Sequence, residues 1–215
     1  MSSETPKARE TRTKLLEGAL RTLTEQGIAK TSARTVAAAA GVNQALVFYH
    51  FGTVDELLAA ACRYGAQQAV ARYRERLAAA TSLSELLAVG REIHASERDG
   101  GHVALLGQLL AGAPTHAALG PATAAGLRLW VAEIEQVLTR VLAGTPVAEF
   151  VDPAGLARAV AASFVGIELY EGADAAGAEA ALAALDQLAA LVAALEELGP
   201  VAQRAVRHRL RQAGR

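Results

Sequence analysis

One segment constrains this chain more than any other: residues 31–52, which read TSARTVAAAAGVNQALVFYHFG. The hydroxyls of Thr31 and Ser32 can accept hydrogen bonds from the first N–H groups of a helix, and Asn43 can do the same for a second helix. Between them, Gly41 can adopt the positive φ of a tight turn. The segment therefore predicts two helices joined by a turn, with four apolar positions facing inward: Val36, Ala40, Val42 and Val47.

The residues that remain point outward from the second helix: Gln44, Ala45, Leu46 and Tyr49. An amide can read adenine, a leucine can contact a thymine methyl, and the phenol, together with His50, can reach phosphates, so this face suits a DNA major groove. The alternative is an ordinary helical hairpin with aromatic residues in its core.

Composition predicts an all-α protein. The 215 residues are 52% hydrophobic but only 4% aromatic, and alanine and leucine dominate. The single cysteine, Cys62, excludes an internal disulfide, fits a reducing compartment and is expected to be a small core residue. Charges or prolines interrupt each apolar run before the roughly 18 to 20 residues that span a bilayer. With a charged N-terminus and no visible signal peptide, the sequence predicts a cytoplasmic protein without a membrane segment.

Charge is distributed unevenly. Residues 1–52 contain seven Lys or Arg against four Asp or Glu, a net charge of +3, whereas residues 53–215 have a net charge of −4. We therefore predict that only the N-terminal part meets phosphate. An N-terminal arm over residues 1–7 is predicted to be disordered, with Lys7, Arg9 and Arg12 either reaching the DNA or lying in a solvated tail.

Helical periodicity continues to the C-terminus. A first helix ending near Gln26 completes a three-helix module, and a long connector helix runs from residue 53 to about residue 80. We predict a helix-turn-helix DNA-binding domain over 1–52 and a helical ligand-binding and dimerisation domain over 53–215. Two late Ala-rich helices, at about 153–171 and 176–198, are apolar around more than half their circumference, so a second copy of the chain is expected to cover one side.

The motif residues of about 10–60 resemble the TetR family of bacterial transcriptional regulators. The resemblance rests on the threonines of the TSART segment, the pairs Val36-Ala37 and His50-Phe51, the triplet Ala40-Gly41-Val42, and Leu57. It implies a homodimer whose late helices form a four-helix bundle and whose two recognition helices read a palindromic double-stranded DNA operator. It also implies a repressor that a small molecule in the C-terminal domain releases from DNA.

The resemblance also assigns residues to the DNA. Ser32 and Arg34 would contact phosphates, and five residues would face bases: Asn43, Gln44, Ala45, Leu46 and Tyr49. Tyr49 and His50 would also hold phosphate. The family usually has a tyrosine where Phe48 stands and a lysine where Val54 stands, both of them phosphate contacts, so Thr53 or the N-terminal arm is expected to compensate.

Polar and aromatic side chains on otherwise apolar helices are the candidates for the effector site, and they predict a mainly apolar ligand with a few polar groups. They are Tyr64, His94, His102, Gln108, Trp130, Phe164, Glu168 and Tyr170. No cofactor or resident metal is predicted.

Two other functions stay open at this point. A metal-dependent enzyme could use His94, His102 and His116, although their spacing matches no metal-ligand motif. A dimeric ligand-binding module without operator binding is suggested by Phe48 and Val54.

Overall fold

The computed structural model of the protein describes residues 5–99, 102–113, 117–143, 145, 147–196 and 198–213. Within these ranges the chain forms α-helices and one short 3₁₀ helix, Ile28–Lys30, and contains no β-strand, as the composition predicted. The α-helices are α1 (Pro6–Gln26), α2 (Ala33–Ala40), α3 (Ala45–Phe51), α4 (Val54–Ala79), α5 (Leu83–Asp99), α6 (His102–Gly112), α7 (Leu119–Leu142), α8 (Pro153–Glu171), α9 (Ala175–Glu196) and α10 (Pro200–Ala213).

The first helix begins earlier than the sequence suggested. The Thr5 hydroxyl accepts a hydrogen bond from the Ala8 N–H at 3.3 Å, and Pro6 occupies the first helical position, where its missing N–H costs nothing. Lys7 therefore lies in α1 and not in a disordered arm. The helix ends at Gly27, as predicted, with φ at +77°.

The chain forms two compact units. The first contains the residues up to Val70 together with Glu97–Leu129, and the second contains Ala71–Ser96 and the residues from Trp130 onwards. The first unit has one hydrophobic core, in which α1, α2 and α3 pack with the first half of α4 and with leucines of α6 and α7. The predicted functional division at residue 52 stays a prediction.

The second unit has two apolar clusters. One joins α4, α5, α7 and α8 around residues such as Tyr73, Leu77 and Leu138. The other joins α8 and α9 through Ile167 and Leu182. The two late helices thus pair with each other within one chain, over ranges close to those predicted.

Helix α9 corrects the expectation that no segment could span a bilayer. Its residues Ala175–Ala194 form a 20-residue stretch with a mean hydropathy of 1.4, long and apolar enough by length and composition, and 17% of it is buried within the chain. The interrupting charges, Glu179 and Asp186, are too few to lower the mean hydropathy of a run of alanine and leucine. Both carboxylates nevertheless bind the Arg91 guanidinium of α5, at 3.1 and 2.5 Å. Charged groups of this kind are unfavourable in a bilayer. Length and composition alone are weak evidence for a membrane span, because a helix packed inside a soluble protein passes the same test.

Candidate DNA-binding surface

Helix α2 starts with a reciprocal cap. The Ser32 hydroxyl accepts from the Thr35 N–H at 3.2 Å, and the Thr35 hydroxyl accepts from the Ser32 N–H at 2.8 Å. The exchange satisfies two backbone donors that the helix itself leaves unpaired. Thr35 was not identified from the sequence, although its position three residues after Ser32 is the signal of a capping box.

The turn between α2 and α3 depends on Gly41. Its φ of +66° and ψ of +34° lie in the left-handed region, and its N–H bonds back to the end of α2. The next residue, Val42, donates to the Ala37 carbonyl at 3.0 Å, which closes the turn. At the start of α3 the Asn43 Oδ1 accepts from the Ala45 N–H at 2.8 Å, although the cap position itself is Gln44, whose side chain makes no cap hydrogen bond. These local bonds fix the angle at which α3 leaves α2.

Helix α2 is held tightly against α1. A Cβ atom added at Gly18 would lie 2.9 Å from the Ala40 Cβ, so the two helices approach each other at a glycine and an alanine. Nearby, the Arg21 guanidinium donates to the Ala39 carbonyl at 2.6 Å. Val36 and Val47 are fully buried, and both lie in the same core. The pair α2 and α3 is therefore one face of a rigid three-helix module.

The outer face of α3 exposes two large aromatic side chains to solvent. Tyr49 is 78% exposed and Phe48 is 49% exposed, next to exposed Gln44 and Ala45. Leu46 differs from the prediction, because it packs partly against the core and is only partly exposed. A large aromatic surface left in water is costly unless a partner covers it.

Polar groups surround this face. Ser32 and Arg34 are exposed at the start of α2, and Asn43 is exposed at the turn. His50 is partly buried, with its ring 4.9 Å from that of Tyr49 in an edge-on arrangement. Thr53 is exposed, but its hydroxyl accepts from the Glu56 N–H at 3.1 Å and so also caps α4. The candidate DNA-contact residues thus lie on α2 and α3 or directly before α2, α3 and α4, all in one unit.

Three of the effector candidates lie in the first unit. The Tyr64 hydroxyl donates to Glu17 at 3.4 Å, and burial together with the neighbouring Glu17 carboxylate raises the pKa of that phenol. The His102 Nδ1 lies 2.9 Å from a Glu97 oxygen. Gln108 uses its Oε1 to accept from the Ile28 N–H at 3.2 Å, which ties α6 to the segment before α2.

The second unit brings three other candidates together between α5 and α8. His94 is 7% exposed, and its Nδ1 lies 3.8 Å from Glu168. Its Nε2 lies 3.0 Å from Glu171, a partner that the sequence did not reveal. One turn away the Phe164 ring covers Gly90, where an added Cβ would lie 2.4 Å from the ring. Among the residues that the structure describes, the buried His94 Nδ1 has no hydrogen-bond partner.

The remaining candidates lie elsewhere in the second unit. Trp130 packs beside the ring of Tyr73, with the centroids 6.2 Å apart, in the apolar cluster of α4, α5, α7 and α8. Tyr170 is exposed and donates to Asp174 at 3.2 Å, where it supports the turn between α8 and α9. The hydroxyl of Tyr170 is therefore bonded to a residue only four positions away in the chain.

Two chemical points concern possible reactivity. Burial raises the pKa of the Cys62 thiol to about 11, so it stays protonated in the core at neutral pH. No group of three metal-binding side chains occurs among the residues that the structure describes. Of the three histidines considered for an enzyme, His116 lies outside the described residues.

A family of known proteins matches the N-terminal part of the chain. Residues 15–61 match the model of the family described as bacterial regulatory proteins, tetR family. None of the curated proteins is significantly similar to the chain in sequence.

Solved structures share the fold over most of the chain. A Rhodococcus sp. protein assigned to the TetR-family transcriptional regulators is 24% identical, with a TM-score of 0.68 over 86% of this chain and 98% of that one. A TetR transcription regulator from Haloarcula marismortui is 18% identical, with a TM-score of 0.65 over 87% and 98% of the two chains. The multidrug binding protein EbrR, complexed with imidazole, is 27% identical, with a TM-score of 0.60 over 92% and 94%.

The match covers the segment from α1 into α4 that forms the exposed aromatic face, and the similar structures extend the likeness to the whole helical order. Proteins of this kind are DNA-binding transcriptional regulators and not enzymes. Residues 15–61 thus match the tetR family of bacterial regulatory proteins, and most of the chain shares the all-helical fold of solved TetR-family regulators.

Proposed function

We propose that the protein is a ligand-responsive repressor that acts in the cytoplasm, binds a palindromic operator as a homodimer and leaves it when a small molecule binds the C-terminal part. The observation that carries the proposal is the exposed outer face of α3, where Tyr49 and Phe48 stand in water beside an amide. This face has the size and chemistry of a helix that enters a major groove.

The roles of individual side chains follow from their positions. Gln44, Ala45 and Tyr49 are exposed on or beside α3 and face bases in this proposal, with Leu46 contributing its exposed edge. The Asn43 side-chain oxygen is used in the cap, so its NH₂ group is the part that contacts DNA.

The flanking residues Ser32, Arg34, His50 and Thr53 hold phosphates. Arg34 supplies charge, Thr53 donates a hydroxyl hydrogen that its cap does not use, and the Ser32 hydroxyl, which lies 3.1 Å from that of Thr35, turns its hydrogen towards a phosphate. Phosphate contacts fix the position of the protein on the duplex, and base contacts select the sequence.

Dimerisation is proposed to involve α8 and α9. On α9, Leu188 is 58% exposed and Leu191 is 63% exposed. The two leucines are three residues apart, so they lie on the same side of the helix. Leu169 and Tyr170 of α8 are also exposed. A second copy that covers these residues would form a four-helix bundle, and its two-fold axis would match a palindromic operator.

The effector is proposed to be largely apolar with a polar group that meets His94 and Glu168. Phe164 supplies the apolar wall of this region, and the buried His94 Nδ1, which has no hydrogen-bond partner among the described residues, is the polar atom that a ligand would bind after a local opening. EbrR, which is 27% identical, is a multidrug binding protein complexed with imidazole. For such a ligand to release DNA, it must bind the DNA-free state more tightly than the DNA-bound state.

The test begins with selection of operator sequences from random duplex DNA by the full-length protein. Replacing Tyr49 or Gln44 by Ala is expected to cost roughly 1 to 3 kcal/mol at the selected site and less on random DNA. Tyr49→Phe is the matched control, since it keeps the ring and removes only the hydroxyl. Compounds that release the operator are then sought by fluorescence anisotropy.

One outcome would count against the proposal. If no sequence is enriched and binding at low salt is the same for every duplex, the protein does not read an operator. In that case a module that binds ligand without operator recognition, suggested by the missing hydroxyl at Phe48 and the missing amine at Val54, becomes the better description.

A further inference from the structure

An arginine of α1 lies over the end of the helix proposed to read DNA. The Arg12 guanidinium carbon is 5.2 Å from the centroid of the Phe51 ring, within the range of a cation–π contact. Arg12 is exposed, and Phe51, the last residue of α3, is partly buried against the core. The contact therefore places a charged group at a defined point on an exposed corner of the first unit.

The guanidinium of Arg12 still has its hydrogen-bond donors available. Within the described residues Arg12 makes no ion pair, whereas Lys14 on the same helix binds Glu10 at 2.7 Å. Arg21, farther along α1, is also occupied, because it donates to the Ala39 carbonyl. A guanidinium carries five N–H donors, and stacking on a ring uses none of them.

The aromatic contacts continue from Phe51 along α3. The Phe51 and His50 rings are 6.3 Å apart, and the His50 and Tyr49 rings are 4.9 Å apart. Arg12 thus stands at one end of a row of rings whose other end, Tyr49, is the most exposed aromatic side chain of α3. A duplex that contacts Tyr49 brings its phosphates close to this row.

Two neighbouring positions lack the groups that could bind those phosphates. Phe48 has no hydroxyl and Val54, the first residue of α4, has no amine. We propose that Arg12 binds a DNA phosphate and supplies the cation missing at Val54, with the Phe51 ring holding its guanidinium in place. This inference rests on the proposed function, since it concerns how the same surface grips DNA.

Preorganisation favours this role. A free arginine loses much side-chain freedom when it binds, and a stacked guanidinium has already lost part of it. The contribution of Arg12 is sequence-independent, because a phosphate contact is the same on every duplex.

The test measures affinity for a short random-sequence duplex as a function of salt concentration, with the full-length protein. Each phosphate contact contributes about 0.9 to the slope of log affinity against log salt, so Arg12→Gln, acting in both protomers, is expected to reduce the slope by about 1.8. Arg12→Lys is expected to keep the slope while weakening binding, because the charge remains and the stacking is poorer. Lys14→Gln is the matched control: it makes the same charge change on the same helix, on a side chain that already has a partner, and should leave the slope unchanged.

Thermal stability separates the proposal from a purely structural role. If Arg12→Gln lowers the melting temperature and the affinity but leaves the salt slope at the wild-type value, Arg12 only supports α3 and the inference is wrong. An unchanged slope and affinity would overturn it as well. If the wild-type protein itself shows no salt-dependent DNA binding, the proposed function fails together with this inference.

Discussion

The exposed leucines of α9 give the sharpest test of the proposed assembly. We predict that the double substitution Leu188→Ala and Leu191→Ala weakens the dimer strongly while leaving the protomer folded. Alanine is the best helix former, so α9 itself is preserved. Both side chains are more than half exposed in one chain, so their loss costs the isolated protomer little.

The magnitude follows from the area that a partner would cover. Burying a complete leucine side chain contributes roughly 1.5 to 3 kcal/mol, so covering the exposed part of each contributes about 1 to 1.5 kcal/mol. Two-fold symmetry places four such side chains in the dimer, so the double variant should lose roughly 4 to 6 kcal/mol of association free energy. That loss raises the dimer dissociation constant by a factor on the order of 10³ to 10⁴.

Sedimentation equilibrium over a range of protein concentrations measures this constant directly, and circular dichroism checks that the variant keeps its helix content. Val201→Ala is the control: Val201 is 82% exposed but lies on α10, so its truncation should leave the dissociation constant unchanged. A double variant that dimerises as tightly as the wild type would show that α9 does not form the interface. A wild-type protein that remains monomeric at high concentration would refute the reasoning at its first step.

Two further changes test the core and the turn. Gly41→Ala should destabilise the fold by about 1 kcal/mol in urea unfolding. The φ of Gly41 is +66° and an added Cβ would contact nothing, so the cost is backbone strain alone. Gly41→Asn should recover part of this loss, whereas an Ala variant as stable as the wild type would contradict the prediction. The second change concerns Cys62, because burial raises the pKa of its thiol from 9.0 to about 11. Between these two values the folded protein keeps a proton that the unfolded chain releases. The stabilisation is therefore complete below about pH 9 and is lost as the pH rises towards 11. Between about pH 8 and pH 10.5 the wild type should therefore lose about 2 kcal/mol more unfolding free energy than Cys62→Ala, and parallel pH profiles of the two proteins would disprove the assignment.

The features that could be predicted from the sequence are those fixed by near neighbours in the chain. Ser32 and Asn43 accept the backbone N–H groups that their positions suggested, and Gly41 takes the left-handed turn. A cap or turn involves only three or four consecutive residues, so its chemistry is visible in the sequence itself. The early start of α1 has a signal of the same kind, in Thr5 followed by Pro6.

What could not be predicted depends on residues far apart in the chain. Periodicity indicated that His94 lay on an apolar helix, but not that Glu171 of α8 would lie 3.0 Å from its Nε2. Likewise the apolar position of Leu46 did not show that the core of the first unit would cover part of it. Periodicity assigns a residue to a face of its helix, whereas the neighbour opposite that face is determined by the packing of the whole unit.

The first unit is built from two separate stretches of the chain, which limits where the protein can be cut into fragments. Its core combines α1 to α4 with Leu105, Leu109 and Leu119, which follow the first stretch of the second unit in the chain. A fragment that stopped after Val70 would lack these leucines and expose the apolar side chains they cover. A chimera that receives the first unit from another protein should therefore receive residues 97–129 along with the N-terminal helices, because two separate parts of the gene encode that unit.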